Sequence, residues 1–330
     1  MRMQQLFVIG AILVAVVSGV AFAGGQGEQE WKVGHVRPQG TTTDDDLTEF
    51  AEEVGEAAEG LTIDVYPASQ LGNYTVVQER IGMGDIEMQL APPSTGVTKA
   101  LGITSAPYLV TNWEDAQEVF AWGGDLMNAV EEMFAGENIK VLAQYPKYFG
   151  GIALAEEPED PTNPEASQGL KIRVPGIKSF ELTASALGYQ ATPIPFSEAF
   201  TSMQTGIVDG VLGSGAEGYW ASFRDLTEYY LPVNSHFEMW FLYVNSDIWD
   251  RLPAEEQDRV ESAARNMEEA RWEAAPDDTE SYEEQLADNG ATIIEFSDAD
   301  RQELAAKVRE EVWPEIEDEY GAELFRRITE

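Results

Sequence analysis

The sequence predicts a two-domain α/β protein, and three observations predict it. Short apolar strands alternate with amphipathic helices along the chain, the pattern of parallel or mixed sheets covered by helices. About 307 residues follow a leader-like N-terminus, more than a single hydrophobic core usually organises. With 43% hydrophobic and 10% aromatic residues, the chain has enough apolar surface to fill two cores.

The elements follow in order. WKVGHV (31–36) is a strand that runs into the polar loop RPQGTTTDDD, where Thr43 or Asp44 can cap a helix carrying Leu47, Phe50, Ala51, Val54 and Ala57 at helical spacing. LTIDVYP (61–67) alternates as a strand, residues 74–84 read as a helix, and IEMQLA (86–91) reads as a strand. The spacing predicts one helix over 114–135, then strands at 140–145, 150–155 and 171–175, with an acidic loop at 156–168. Helix 178–187, strand 191–195, helix 197–205, strand 207–212 and helix 216–227 come next. FEMWFLYVN (237–245) is an apolar run long enough to pass between two domains and to serve as a hinge. From Pro253 to about Asn289 the pattern is helical, with Pro276 expected to kink or interrupt it. ATIIEF (291–296) is a last strand, and Asp298 can cap a terminal helix on which Leu304, Val308, Val312 and Ile316 recur every four residues.

Composition narrows the class. Arg2, the apolar run Leu6–Val17 and the small-x-small site Ala21-Phe22-Ala23 predict a secretory signal peptide over residues 1–23, and hence export to the periplasm. That run is too short to cross a hydrocarbon core of roughly 30 Å comfortably, and no comparable run recurs, so the exported chain is not expected to be membrane-embedded. Zero cysteines exclude a disulfide framework, a thiol-linked lipid anchor and a zinc–thiolate site. Against 60 acidic residues stand 20 basic ones, a net charge of −40 that repels nucleic acid and anionic membranes. Because the acidity is spread along the chain, it reads as adaptation to a saline exterior, where the Debye length falls to roughly 3 Å at about 1 M salt. The alternative is a solvated acidic surface of no special meaning.

Catalytic and cofactor signatures are weak. His35 and His236 are too few for a histidine-rich metal site and stand in no hydrolase motif, so neither metal nor cofactor is expected. GSGAEG (213–218) matches G-x-G-x-x-G after a strand and before a helix, but the next apolar run is FEMWFLYVN, not a strand ending in an acidic residue. Its glycines suit close approach of backbone to a ligand at a helix N-terminus.

The most informative stretch is GLKIRVPGIKSFELTASALGYQATPIPFSEAFTSMQTGIVDG, residues 169–210. Its GLKIR strand, ALG helix end, TPIPFSEAF segment and MQTGIVDG close resemble, in order, the central signature of the DctP-like solute-binding proteins of tripartite ATP-independent periplasmic (TRAP) transporters. Residues 65–89 and 241–257 resemble other parts of the same family, so the likeness spans essentially the whole exported chain. The resemblance implies a periplasmic-binding-protein-like fold: two α/β domains closing on a ligand, joined by hinge strands and a long domain-spanning helix. It implies one domain from residues 24–146 with 239–279 and another from 147–238 with 280–330. The implied function is capture of a small organic acid and its delivery to the membrane permease subunits. Rival readings are the receptor of an ATP-driven transporter and a secreted hydrolase.

For site residues the resemblance points first to Arg173 of KIRVP, whose planar guanidinium can hold a carboxylate through two parallel bonds. An internal salt bridge is the alternative. Phe196 matches an aromatic that packs on the ligand in relatives, and Tyr219, Trp220, Trp240 and Phe241 flank the cleft in this topology as wall or core. Gly213 stands where sialic-acid-binding relatives carry Asn, and Lys147 of YPKYFGG, beside Tyr145 and Tyr148, is the only cation near the strand that supplies their second arginine. Sialic acid is therefore disfavoured. Glu217 suits a ligand hydroxyl or cation, or is a solvated helix residue. His35, near Arg37 and Thr41, is either a cleft group or a core residue.

Overall fold

The structure is a computed structural model that describes residues 29–57 and 60–329; the expected signal peptide lies outside them. The described chain runs β1 (Gln29–Gly34), α1 (Thr42–Ala57), β2 (Leu61–Tyr66), α2 (Tyr74–Gly82), β3 (Met88–Ala91), a 3₁₀ segment (Lys99–Ser105), α3 (Trp113–Val119), α4 (Asp125–Gly136), β4 (Ile139–Phe149) and β5 (Gly151–Leu154). It continues with β6 (Lys171–Val174), α5 (Lys178–Ala186), β7 (Gln190–Pro193), α6 (Phe196–Gln204), β8 (Gly210–Ser214), α7 (Ala216–Phe223), β9 (Tyr229–Leu231) and β10 (Phe237–Asn245). The C-terminal part is α8 (Ser246–Trp249), α9 (Ala254–Asp288), β11 (Thr292–Ile293), α10 (Asp298–Tyr320) and α11 (Ala322–Thr329).

Among the described residues the strands form two mixed sheets, one per domain. The first has the order β2-β1-β3-β10-β4 and the second β11-β9-β5-β8-β6-β7. β1 pairs parallel with β2 and β3, as expected of β-α-β units, whereas β10 lies antiparallel between β3 and β4. Besides α9, which leads from β10 to β11, two chain crossings join the sheets, β4 to β5 through Gly150 and β9 to β10 through residues 232–236. They are bonded to each other: Gly150 N donates to His236 O at 2.7 Å, and Ser235 N donates to Gly150 O at 2.9 Å. Glycine is required at 150, because a Cβ there would lie 2.0 Å from the His236 ring.

β10 shows how one strand serves two cores. Side chains alternate across a strand, so Phe237, Met239, Phe241 and Tyr243 enter one buried cluster while Trp240, Leu242 and Val244 enter another with Phe50, Val54 and Val260. The first cluster continues to Ile172, Val174 and Leu212 of the second sheet and to Val308, Val312 and Ile316 of α10, sealing both domains on one side. A third cluster, with Met203, Val211, Tyr219 and Leu286, closes the far face of the second domain.

Three expectations are corrected. The predicted helix 114–135 is two helices, because Gly123 adopts φ +75° and turns the chain between α3 and α4. The strand expected at 140–145 is longer, β4 running to Phe149, whereas that expected at 150–155 is shorter, β5 covering only Gly151–Leu154, so the two are nearly continuous across Gly150. Pro276 does not interrupt α9, which runs 35 residues, roughly 52 Å at 1.5 Å per residue. Proline deletes one ladder bond, and packing of α9 on α1 and β4 in one domain and on α7 in the other holds the rest. The long helix that contacts both domains is present as the resemblance implied. Among the described residues no helix is long and apolar enough to cross a membrane.

Candidate functional site

The cleft between the sheets encloses a cavity of about 40 Å³ whose walls come from both sheets. Arg173 enters it from β6. Ile172 and Val174 point to the core, so strand alternation turns Arg173 to the opposite face, at the carboxyl end of a parallel strand. The side chain is buried, and its Nε donates to Ile194 O at 2.8 Å, which fixes the plane of the fork. Among the described residues no carboxylate lies within 4.0 Å of that guanidinium, and its two terminal nitrogens carry no hydrogen bond. Burial pulls its pKa below the ordinary arginine value, a group that stays charged regardless. Gly213 makes the room: at φ +111°, an added Cβ would stand 2.8 Å from Pro175 and 3.4 Å from Arg173 Nη1.

A second buried arginine faces the same space. Arg37 follows β1 in the polar loop, donates from Nε and Nη2 to Glu217 at 3.1–3.3 Å, and donates from Nη2 to Tyr148 Oη at 2.9 Å. Its guanidinium lies 5.0 Å from the Trp240 ring centre, 5.6 Å from Phe196 and 6.0 Å from Tyr148. Behind it, Lys147 Nζ stands 3.2 Å from Glu217 and donates to Thr43 Oγ1 at 2.6 Å. Burial pushes the Glu217 carboxyl up, but Arg37 and Lys147 outweigh it and hold the pKa at about 2. Burial, aided by Arg37 and Arg271, pulls the Lys147 ammonium down to about 8 despite Glu217. For Arg37, Glu217 and Tyr148 outweigh burial and raise the value. Arg37 belongs to the first domain and Glu217 to α7 of the second, so this ion pair spans the cleft.

The hinge strand supplies the third wall. A register shift between Glu238 and Met239 brings Glu238, Met239 and Trp240 all to the cleft. Glu238 Oε1 accepts from Trp240 Nε1 at 2.7 Å. Oε2 lies 3.3 Å from His236 Nε2, out of hydrogen-bonding alignment. Tyr74 at the start of α2 adds a hydroxyl with no hydrogen-bond partner among the described residues.

Of the residues singled out from sequence, Arg173, Phe196, Gly213 and Trp240 border this cavity. Glu217 and Lys147 stand one layer back, acting through Arg37. Tyr219 is sealed in the third core cluster because α7 turns it onto the sheet, its hydroxyl within reach of the carbonyls of Gly151 (2.9 Å) and Val211 (2.8 Å). Trp220 is half-buried at the edge of the third cluster with Arg224 at 5.3 Å from its ring, and Phe241 is in the core. His35 is off the cavity lining: its Nε2 pairs with Asp44 at 3.0 Å, and burial lowers its pKa, so it braces the β1–α1 loop. Arg37, Tyr148, Tyr74 and Glu238 were missed as site residues. Two signals pointed there, a cation just past the first strand and a lone carboxylate inside an otherwise apolar nine-residue run.

Comparisons with known proteins agree. The model of bacterial extracellular solute-binding protein family 7, DctP, matches residues 33–319. A solute-binding protein of Roseobacter denitrificans is 26% identical over 315 residues, covering 92% of this chain and 94% of its own. A crystal structure of a TRAP periplasmic solute-binding protein from that organism with bound L-galactonate has a TM-score of 0.78 at 22% identity, covering 91% of this chain and 99% of the other. The C4-dicarboxylate-binding periplasmic protein DctP of Rhodobacter capsulatus is 26% identical, covering 85% and 83%. The ectoine-binding periplasmic protein TeaA of Halomonas elongata is 28% identical, covering 96% and 92%. By fold and by family match, the chain belongs to the DctP family, the periplasmic solute-binding proteins of TRAP transporters, which are transport binding proteins and not enzymes.

Proposed function

We propose that this protein captures a small organic acid in the interdomain cleft, clamps its carboxylate with Arg173, and delivers it to TRAP permease subunits after export through the leader at residues 1–23. One observation carries the reading: a buried guanidinium, oriented by Ile194 O and facing the cleft, with no carboxylate within 4.0 Å among the described residues. An arginine kept this way is poised for a carboxylate from outside. The relatives bind L-galactonate, a C4-dicarboxylate or ectoine, and each of those ligands carries a carboxylate. Domain division at residues 24–146 with 239–279 and 147–238 with 280–330 belongs to the same proposal.

Calorimetry over a panel of organic acids, on wild type, Arg173→Ala and Arg173→Lys, tests it. Removing one partner of a buried charge pair costs about 3–5 kcal/mol, so Arg173→Ala should bind at least about 100-fold more weakly. Lysine keeps the charge and loses the fork, so it should recover only part of the loss. Near-wild-type affinity of Arg173→Ala with an intact circular dichroism spectrum would remove Arg173 from the site.

A further inference from the structure

Arg37, Arg173 and Glu238 border the cleft, and the Lys147 and Glu217 pair stands one layer behind Arg37. Glu217 is spent on Arg37 and Lys147. Glu238 is different. It is buried and borders the cavity, and its Oε2 has no hydrogen-bond donor among the described residues. These side chains sum to one positive charge in excess. Buried charge left unbalanced is costly, so the occupant that suits the site has a net charge of −1.

From this arrangement we infer that Glu238 selects the ligand class: a monocarboxylate whose other end carries hydroxyl donors, as in an aldonate, in preference to a dicarboxylate or a zwitterion. The inference rests on the carboxylate–Arg173 reading and extends it to the rest of the ligand. A second carboxylate would meet Glu238, a like charge in a buried site, and would leave the cleft at −1. A zwitterion satisfies Glu238 but leaves the excess positive charge uncancelled. Its cationic end would also compete for aromatic faces that protein cations already occupy: Arg37 on Trp240, Phe196 and Tyr148, Lys147 on Trp240 at 5.0 Å, and Arg173 on Phe196 at 5.7 Å. Hydroxyls meet neither obstacle. They donate to the open lone pairs of Glu238 and exchange bonds with the Tyr74 hydroxyl.

The test is calorimetry at pH 7 with L-galactonate, D-erythronate, succinate and ectoine as probes, on wild type and on Glu238→Gln and Arg173→Ala. The expected result is that an aldonate binds wild type at least about tenfold more tightly than succinate or ectoine. Glu238→Gln should shift the succinate-to-aldonate affinity ratio toward succinate by at least about tenfold, the equivalent of 1.4 kcal/mol. Succinate or ectoine binding wild type as tightly as either aldonate overturns the inference, as does an unchanged ratio in a folded Glu238→Gln. If that variant does not fold, the wild-type ranking alone decides. Tight succinate binding that is lost in Arg173→Ala would sink this inference while leaving the carboxylate–arginine reading intact. Binding of none of the four probes would count against the class named here, and binding unaffected by Arg173→Ala would sink the underlying reading instead.

Discussion

Glu217→Gln perturbs the ion pairs that Glu217 makes across the cleft with Arg37 and Lys147, and its consequence can be worked from the contacts. The amide keeps an acceptor for a guanidinium nitrogen but removes the charge that Arg37 and Lys147 share. Arginine cannot shed its proton, and Arg37 retains only Tyr148 and its aromatic neighbours, so its share is the lower end of the range for a broken buried pair, about 3 kcal/mol. Lys147 adds less because it has an escape. Its pKa already stands at about 8 against an ordinary 10.5, and without Glu217 it falls further, so the amine becomes neutral near pH 7. Holding it neutral there costs only about one further pKa unit, about 1.4 kcal/mol. The sum, about 4 kcal/mol, applies while the domains stay together. Opening the cleft readmits water to Arg37, so the free energy of opening caps the loss.

Two readouts follow, a Tm lower by up to about 10 °C and a larger radius of gyration of the ligand-free variant by small-angle scattering at pH 7. The acid limb changes as well. Glu217 has its folded pKa depressed to about 2 from 4.5, so its stabilisation is complete above pH 4.5 and is lost as pH falls toward 2. Glu217→Gln should flatten that limb. Unchanged Tm, unchanged scattering and an unchanged acid limb together would refute the claim that these pairs hold the domains.

Lys147 predicts the opposite limb: with its folded pKa at about 8 and its ordinary value 10.5, the unfolded chain binds more protons between those values, so stability rises with pH across that window. Lys147→Met should abolish the rise in urea titrations, and a persistent slope would assign it to another group. Gly213→Ala forces a Cβ into φ +111° and to 2.8 Å from Pro175, so it should destabilise the fold by about 1–3 kcal/mol and weaken acid binding by displacing Arg173; unchanged melting and affinity would show that the end of β8 simply gives way. The net charge of −40 predicts that Tm rises from about 0.1 M to about 2 M NaCl, beyond the range that ordinarily saturates screening, and equal values would refute salt adaptation.

Alternation of strands and helices, length and the ordered motifs of residues 169–210 determined the two-domain α/β class and the family without coordinates. Period and composition report which face of an element is apolar, and that is a local property. Arg173 was singled out through the KIRVP motif of the family resemblance, and its position between the core residues Ile172 and Val174 turns it away from the core. Helix breaks were less legible, since WGGD at 122–125 sits inside a run whose apolar spacing continues on both sides. Only the tertiary structure decided what faces Arg173. Arg37 and Glu217 are 180 residues apart and meet because the sheets are joined at Gly150 and His236, while Glu238 reaches the cleft through a register shift in β10 that periodicity does not encode. Tyr219 and Trp220 are neighbours in sequence, yet one is core and the other lies against Arg224, because a helix turns about 100° per residue and only packing determines which direction is inward.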